Sequence, residues 1–326
     1  MKLLAPILVT GGTGFIGRKL VDLLLEKGHQ VASFALPGEP VPEHWGARVK
    51  VIRGDITQAQ DVRAAMQGIK TVFHLAAVVG LGAYEKHRQI TIEGSRHIFD
   101  AALDNDSKVL LAASIVVYGH QIQNGVCDDD MPHGKHQGSY SWAKMAQEKL
   151  ALEYRDKGMP LTVIRPANVY GVGSGPWVEG LFSMITNNSL PIIGDGSGNS
   201  GLVHVDNLVD AFVMAASSEE ALGKIYTVCD GLDVSWSEYF HGLADMLKVS
   251  QLPKVDRQDL IDAASLYDKP ELLEIADDMP TMPLEFINLI GNSNLFDSTR
   301  IRQELGWKPK TTYEQALAEI KESLKA

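Results

Sequence analysis

Gly11, Gly14 and Gly17 stand three residues apart, directly between the apolar run Ile7 to Val9 and a stretch in which Leu20, Val21, Leu24 and Leu25 recur at helical spacing. A strand that passes into a helix through glycine fits the first junction of a parallel βαβ unit. Glycine adopts dihedrals closed to other residues and lets the main chain approach a ligand closely. The helix start beyond it offers free N–H groups and the positive end of its dipole. Together these suit the pyrophosphate of a dinucleotide, which puts Gly11, Thr13, Gly14, Phe15, Ile16 and Gly17 around a cofactor. Structural turns also use glycine, and the position between strand and helix is what favours binding.

The same alternation runs on. Strands are expected near Val31 to Leu36, Val49 to Arg53, Thr71 to Ala77, Val109 to Ala113 and Leu161 to Arg165. Helices are expected over Arg18 to Lys27, Asp61 to Gln67, Ile92 to Asp104 and Ser139 to Asp156. Val109 to Ala113 carries no charge, as a strand covered by helices on both faces requires. Strand then helix, at roughly 30-residue intervals, predicts an α/β fold: a doubly wound parallel Rossmann sheet with a smaller C-terminal substrate lobe. The rhythm breaks after Tyr170, where Gly171 to Gly201 is rich in Gly, Pro, Ser and Asn. Residues 1–170 are therefore assigned to dinucleotide binding and 171–326 mainly to the substrate lobe. The division is discontinuous, because Leu202 to Ala216 and Lys224 to Val228 are expected to return to the sheet. Acidic helical stretches are expected between Pro253 and Pro283.

Composition narrows the classes further. With 30 Lys and Arg against 41 Asp and Glu, the 326 residues carry a net charge of −11, which disfavours a nucleic-acid partner. Cys127 and Cys229 form neither a metal-ligand spacing nor a disulfide framework, so no metal is expected and a cytoplasmic location fits. The apolar start is cut short at Thr10, and no apolar run reaches the ~18 residues of a membrane span. A small-molecule substrate is the expected partner.

About twenty residues past the glycines, at the end of the second strand, an acid would bind the ribose of NAD and an arginine the phosphate of NADP. Phe34-Ala35-Leu36-Pro37 holds neither. The loop Gly38 to Glu43 has two glutamates and no Lys or Arg, which leans the choice to NAD; Arg18 and Arg53 keep NADP open. Asp55 either contacts the adenine amine or simply makes a turn or an N-cap. Further on, Tyr140 and Lys144 lie four apart on one helix face. An ammonium near a phenol favours the phenolate and draws its pKa from near 10 towards a useful acid/base range. Ser114 follows a strand, at the end where parallel sheets bind ligands, and can meet Tyr140 over a substrate.

These pieces recur in order with His74-Leu75-Ala76-Ala77, Arg165 to Gly171, Val203 to Ala211 and Leu305 to Pro309. The chain thereby resembles the extended short-chain dehydrogenase/reductase family, also called the NAD-dependent epimerase/dehydratase family. Within it, the arrangement is most similar to hydroxysteroid dehydrogenases and dihydroflavonol-reductase-like members. The resemblance implies Tyr140 as acid/base, Lys144 on the nicotinamide ribose, and Ser114 polarising the substrate oxygen. It also implies cofactor contacts at Asp55, Ile56, Leu75, Ala76, Ala77, Pro166, Asn168 and Val169, substrate contacts at Val79 and Asn168, and a homodimer through the helices near Ile92 to Asp104 and Ser139 to Asp156. Thr91 stands where relatives usually place Asn.

Substrate signals are mostly negative. Ile115-Val116 replaces the Asp-Glu of sugar-nucleotide dehydratases, and Asn199 to Leu202 lacks the Arg that clamps a nucleotide-sugar pyrophosphate. Val78 to Gly82, with Trp177, Phe182 and Met184, either lines an apolar pocket or is ordinary packing. Asp128-Asp129-Asp130, with His133 and His136, reads as solvated loop and His74 as a satisfied core histidine. The expected activity is hydride transfer between NAD(P) and a secondary alcohol or ketone on a small, largely uncharged substrate. A nucleotide-sugar epimerase is the alternative. A protein that senses NAD(P) without turnover is a third reading, disfavoured because Tyr140 and Lys144 are both present.

Overall fold

Ile7 and Val9 drop to one face of a sheet and Leu8 to the other, and all three are fully buried. Period-two alternation with both faces covered is what forces helices onto both sides. The computed structural model describes residues 3–265 and 282–325. Its strands are β1 (Ile7–Thr10), β2 (Val31–Ala35), β3 (Val49–Arg53), β4 (Thr71–His74), β5 (Lys108–Ala112), β6 (Leu161–Pro166), β7 (Asn168–Tyr170), β8 (Ile192–Ile193), β9 (Leu202–His204), β10 (Ile225–Val228) and β11 (Lys254–Val255). The helices are α1 (Phe15–Glu26), α2 (Ala59–Met66), α3 (Tyr84–His87), α4 (Gly94–Asp104), α5 (Ser139–Asp156), α6 (Gly180–Thr186), α7 (Val205–Ser217), α8 (Trp236–Met246), α9 (Arg257–Ser265), α10 (Leu284–Ile290), α11 (Thr299–Leu305) and α12 (Tyr313–Ser323). A π-helical turn, Arg88–Glu93, joins α3 to α4.

Seven parallel strands form the main sheet in the order β10-β6-β5-β4-β1-β2-β3. The order reverses at β1, which pairs β2 on one side and β4 on the other. Leu20, Leu24, Leu208 and Phe212 cover one face, and Val62, Met66, Ile98, Phe99 and Leu150 the other. The fold is the doubly wound Rossmann arrangement. Ile225–Val228 extends the sheet beyond β6, but Leu202–His204 does not return to it. Instead β9 pairs β7 in a separate two-stranded ribbon, and α7 behind it packs on α1 and the main sheet.

The late family-like motifs fasten one another. Asn207 accepts the amides of Lys310 (2.8 Å) and Thr311 (2.9 Å) at Oδ1, and its carbonyl takes the Trp307 indole N–H at 3.1 Å. Part of the expected Pro253 to Pro283 helical region falls at 266–281, outside the described residues; Arg257–Ser265 is helical. Among the described residues no helix is long and apolar enough to cross a membrane.

Candidate active site

At the carboxyl ends of the strands, where β2 and β4 diverge from β1, lies a cleft of about 850 Å³. That is ample for a dinucleotide and a small substrate. Every residue expected at the cofactor or substrate, from Gly11 to Val169, faces it. The glycines divide their work. Gly14 caps α1 without a side-chain hydrogen bond, and a methyl group there would meet only the Gly11 carbonyl, at 3.3 Å. The α1 amides therefore stay open to an anion in the cleft. A methyl group at Gly17 would sit 2.1 Å from the Gly11 oxygen, so Gly17 lets the helix pack on its own turn.

The acid that the end of β2 lacks arrives in the loop after it. Glu39 Oε1 accepts the Thr13 hydroxyl (2.5 Å) and Oε2 accepts the Leu36 amide (3.1 Å), which draws the carboxylate to the cleft wall. Arg18 donates to the Thr13 carbonyl, and Arg53 to the carbonyls of Leu36 and Glu39. Both arginines that left NADP open are thus turned onto main chain. The charged side chains lining this end, Glu39 and Asp55, are both acidic. Asp55 makes the expected turn, with Oδ1 accepting the Thr57 amide and hydroxyl at 2.8 Å each. Replacing Glu39 with Arg is expected to weaken NAD binding at least about tenfold, the loss of a charge-assisted hydrogen bond, while narrowing the preference over NADP. Calorimetric titration with both dinucleotides checks this.

At the other end, Ser114, Tyr140 and Lys144 line the floor. Ser114 accepts the Val116 amide at 3.3 Å and hydrogen-bonds Tyr140, an interaction that favours the phenolate. The expected depression of the Tyr140 pKa is not found. Burial pushes the phenol up to about 12, against the pull of Ser114, and the nearby Glu285 carboxylate adds to the rise. Lys144 does not oppose this, because its Nζ faces the Ala112 carbonyl (2.7 Å) and Gln147 Oε1 (2.5 Å). Burial brings Lys144 itself down to about 7, with Glu148 partly offsetting.

Behind Lys144 runs a buried polar chain. Gln147 Nε2 donates to Ser95 Oγ (2.8 Å), His74 bridges Ser95 and Thr10 (2.8 Å each), and Thr10 Oγ1 accepts the Leu75 and Ala76 amides at 3.2 Å. His74 is a satisfied core residue, held neutral by burial and then by Lys144, with its pKa lowered to about 3. Thr91 sits in the π-helical turn; its hydroxyl accepts the Val78 amide at 3.0 Å and ties down the loop after β4.

Other expectations separate. Trp177 reaches the cleft, stacked on Trp236, whereas Phe182 and Met184 lie within or against the core behind it. Asn168 lines the cleft with its amide already donated to the Ser200 carbonyl at 2.7 Å. Asp128 and Asp130 are exposed as the solvated-loop reading has it, whereas Asp129 is buried; Asp129 and Asp130 pair with Arg300, and His133 with Glu148. Two residues went unread: Glu285 and Phe286, brought to the substrate end by α10. An acid and an aromatic on a short amphipathic helix carry no local signal of a site.

Residues 7–229 match the NAD dependent epimerase/dehydratase family. Along 97% of this chain and 90% of the relative, the sequence is 29% identical to a 3-beta-hydroxysteroid dehydrogenase of Mycolicibacterium neoaurum. It is 30% identical to a 2-alkyl-3-oxoalkanoate reductase of Stenotrophomonas maltophilia, over 77% of each chain. The fold superposes on a UDP-glucose 4-epimerase of Thermotoga maritima with a TM-score of 0.76, at 22% identity and 98% coverage of both chains. The glycine turn, the tyrosine–lysine helix and a match over most of the chain together make this protein a member of the NAD-dependent epimerase/dehydratase family, an NAD-dependent enzyme of the extended short-chain dehydrogenase/reductase type.

Proposed function

We propose that this enzyme interconverts a secondary alcohol and a ketone on an apolar, largely uncharged substrate. When bound, NAD supplies the acceptor for the hydride that the alcohol carbon loses. The glycine turn and the α1 amides would hold its pyrophosphate and Glu39 its adenosine ribose, with Lys144 at its nicotinamide ribose. In this reading Tyr140 Oη takes the proton of the substrate hydroxyl. The Ser114 hydroxyl donates to the same oxygen and steadies the charge that develops there.

The observation that carries the substrate class is the wall beyond Tyr140. Val79 and Leu81 stand exposed at 63% and 47%, facing a cleft side built by Trp177, Phe286 and Leu289. Among the described residues lining the cleft, the one cation is the buried Lys144. A sterol-sized ketone fits such a wall, and a nucleotide-sugar pyrophosphate finds no clamp. The lobe from residue 171 onward, which contributes Trp177 and Phe286, is in this reading the substrate lobe. The hydroxysteroid dehydrogenase relative supports the same class. The nucleotide-sugar epimerase remains the second reading, favoured by the fold shared with the UDP-glucose 4-epimerase.

A thermal-shift and turnover panel with NAD decides between them. A 3β-hydroxysteroid should stabilise the protein and reduce NAD, while UDP-glucose should do neither. Turnover with UDP-glucose alone overturns the proposal. The same preparation, run by light scattering, is expected at twice the 35.6 kDa chain mass if α4 and α5 pair two copies.

A further inference from the structure

We propose that Glu285 carries the Tyr140 proton between the cleft and solvent. The inference rests on the reading of Tyr140 as acid/base. In each oxidation the alcohol C–H bond breaks with its electron pair passing to NAD, and the O–H proton passes to Tyr140 Oη. That proton has to leave before the next turnover, and in reduction one has to arrive.

The route past Lys144 is closed. Thr10 Oγ1 already accepts two amides, so its own proton goes to His74 Nδ1. His74 Nε2–H then donates to Ser95, and the Ser95 proton goes to the Thr91 carbonyl at 2.5 Å. Gln147 also donates to Ser95 and takes Lys144 at its oxygen. The Thr10, His74 and Ser95 protons each have one acceptor, and the chain ends on the buried Thr91 carbonyl. The Thr91 hydroxyl, at the position where an amide was expected, accepts the Val78 N–H.

Glu285, which lines the same cleft and acts on Tyr140, is set differently. Glu285 on α10 is 8% exposed, and neither carboxylate oxygen has a hydrogen bond of ordinary geometry. The carboxylate lies over the first turn of α5, where a methyl group on Gly138 would come within 2.3 Å of Oε2. It faces the main cleft on one side. On the other it lines a small pocket of about 10 Å³ with Gln137, Ser141, His120 and Gln123, room for about one water. A buried carboxyl between two spaces, with neither oxygen in a hydrogen bond of ordinary geometry, is placed to hand a proton from one to the other.

The groups around it leave it uncancelled. Tyr140 and Ser141 face it from α5, and His120 from the segment after Ser114. Arg257 of α9 is turned onto Asn288 (2.6 Å) and Gln123 (3.3 Å), and among the described residues Glu285 has no ion pair. Burial raises its pKa to about 7, partly offset by the Ser141 amide and hydroxyl. A group that titrates near neutrality can both take and release a proton there.

Glu285→Gln keeps the shape and removes the proton site. In the cofactor-free protein, the infrared difference between wild type and this variant should show a carboxylic-acid band that fades as pH rises through about 7. With NAD and a 3β-hydroxysteroid, kcat should fall at least tenfold with both KM values unchanged. Millimolar formate should restore most of it, and Glu285→Asp should retain activity. Absence of the acid band overturns the proposal. So does an unchanged kcat, or a loss that formate leaves untouched alongside a lowered Tm, which would mark Glu285 as a cap for α5. Full activity in Tyr140→Phe would instead sink the underlying alcohol-oxidation reading, so the two failures are told apart.

Discussion

Tyr140→Phe is expected to lower kcat by roughly 10²–10⁴-fold, the usual contribution of a positioned acid/base, while NAD affinity stays within a few-fold. The ring and its packing survive the change, and only the hydroxyl that meets Ser114 is lost. Because burial keeps the phenol protonated in the free enzyme, the basic form needs help. Binding a cofactor with a positively charged ring would supply it, by lowering the cost of a phenolate in a dry site. In the oxidation direction the rise of kcat with pH, which follows loss of the Tyr140 proton, should therefore have its midpoint well below the free-enzyme value of about 12. Steady-state kinetics across pH, paired with calorimetric NAD titration, give both numbers. Unchanged turnover in the variant removes Tyr140 from the mechanism.

The second large effect separates two glycines that look alike in the sequence. Gly14 has ordinary dihedrals (φ −74°, ψ 174°), and a Cβ there would meet only the Gly11 carbonyl, at 3.3 Å, which has to give by a few tenths of an ångström. Gly14→Val should fold with a near-normal Tm yet lose NAD binding, because its methyl groups fill the ground a pyrophosphate needs. Gly17→Val should instead fail to fold or lose stability severely. Its Cβ would stand 2.1 Å from Gly11 O and 2.7 Å from Gly12 Cα, and main chain offers no flexible end to yield. Thermal melts with and without NAD distinguish the outcomes. A Gly14 variant that binds NAD normally would contradict this placement of the cofactor.

Much of this architecture is readable before any coordinates, for identifiable reasons. Strands without charge betray a sheet covered on both faces, and the spacing of Tyr140 and Lys144 puts them on one side of α5 whatever else happens. Ser114 is found because strand ends point at the crevice. Partners that depend on how a loop closes are harder to see. Glu39 lies among glycine and prolines, and only the Thr13 hydroxyl and the Leu36 amide draw it to the cleft wall. Glu285 comes from the far end of the chain, with no periodic or spacing cue. The partners of the Lys144 ammonium are hidden for a similar reason. Four residues of helix place it near Tyr140, but Gln147 and the Ala112 carbonyl decide where its ammonium points. The β7–β9 ribbon eluded the pattern because three residues are too few to show an alternation.

The polar chain from Lys144 to Thr10 also has a mechanical meaning. Thr10 closes β1 immediately before the glycine turn, so one continuous file of oriented dipoles joins the anchoring end of the crevice to its reacting end. A dinucleotide that docks at the turn meets a far wall already set at the correct spacing. Little binding free energy is then lost to ordering it. Cutting the file in the middle, at Ser95 or Gln147, would leave each half intact while letting them drift in register.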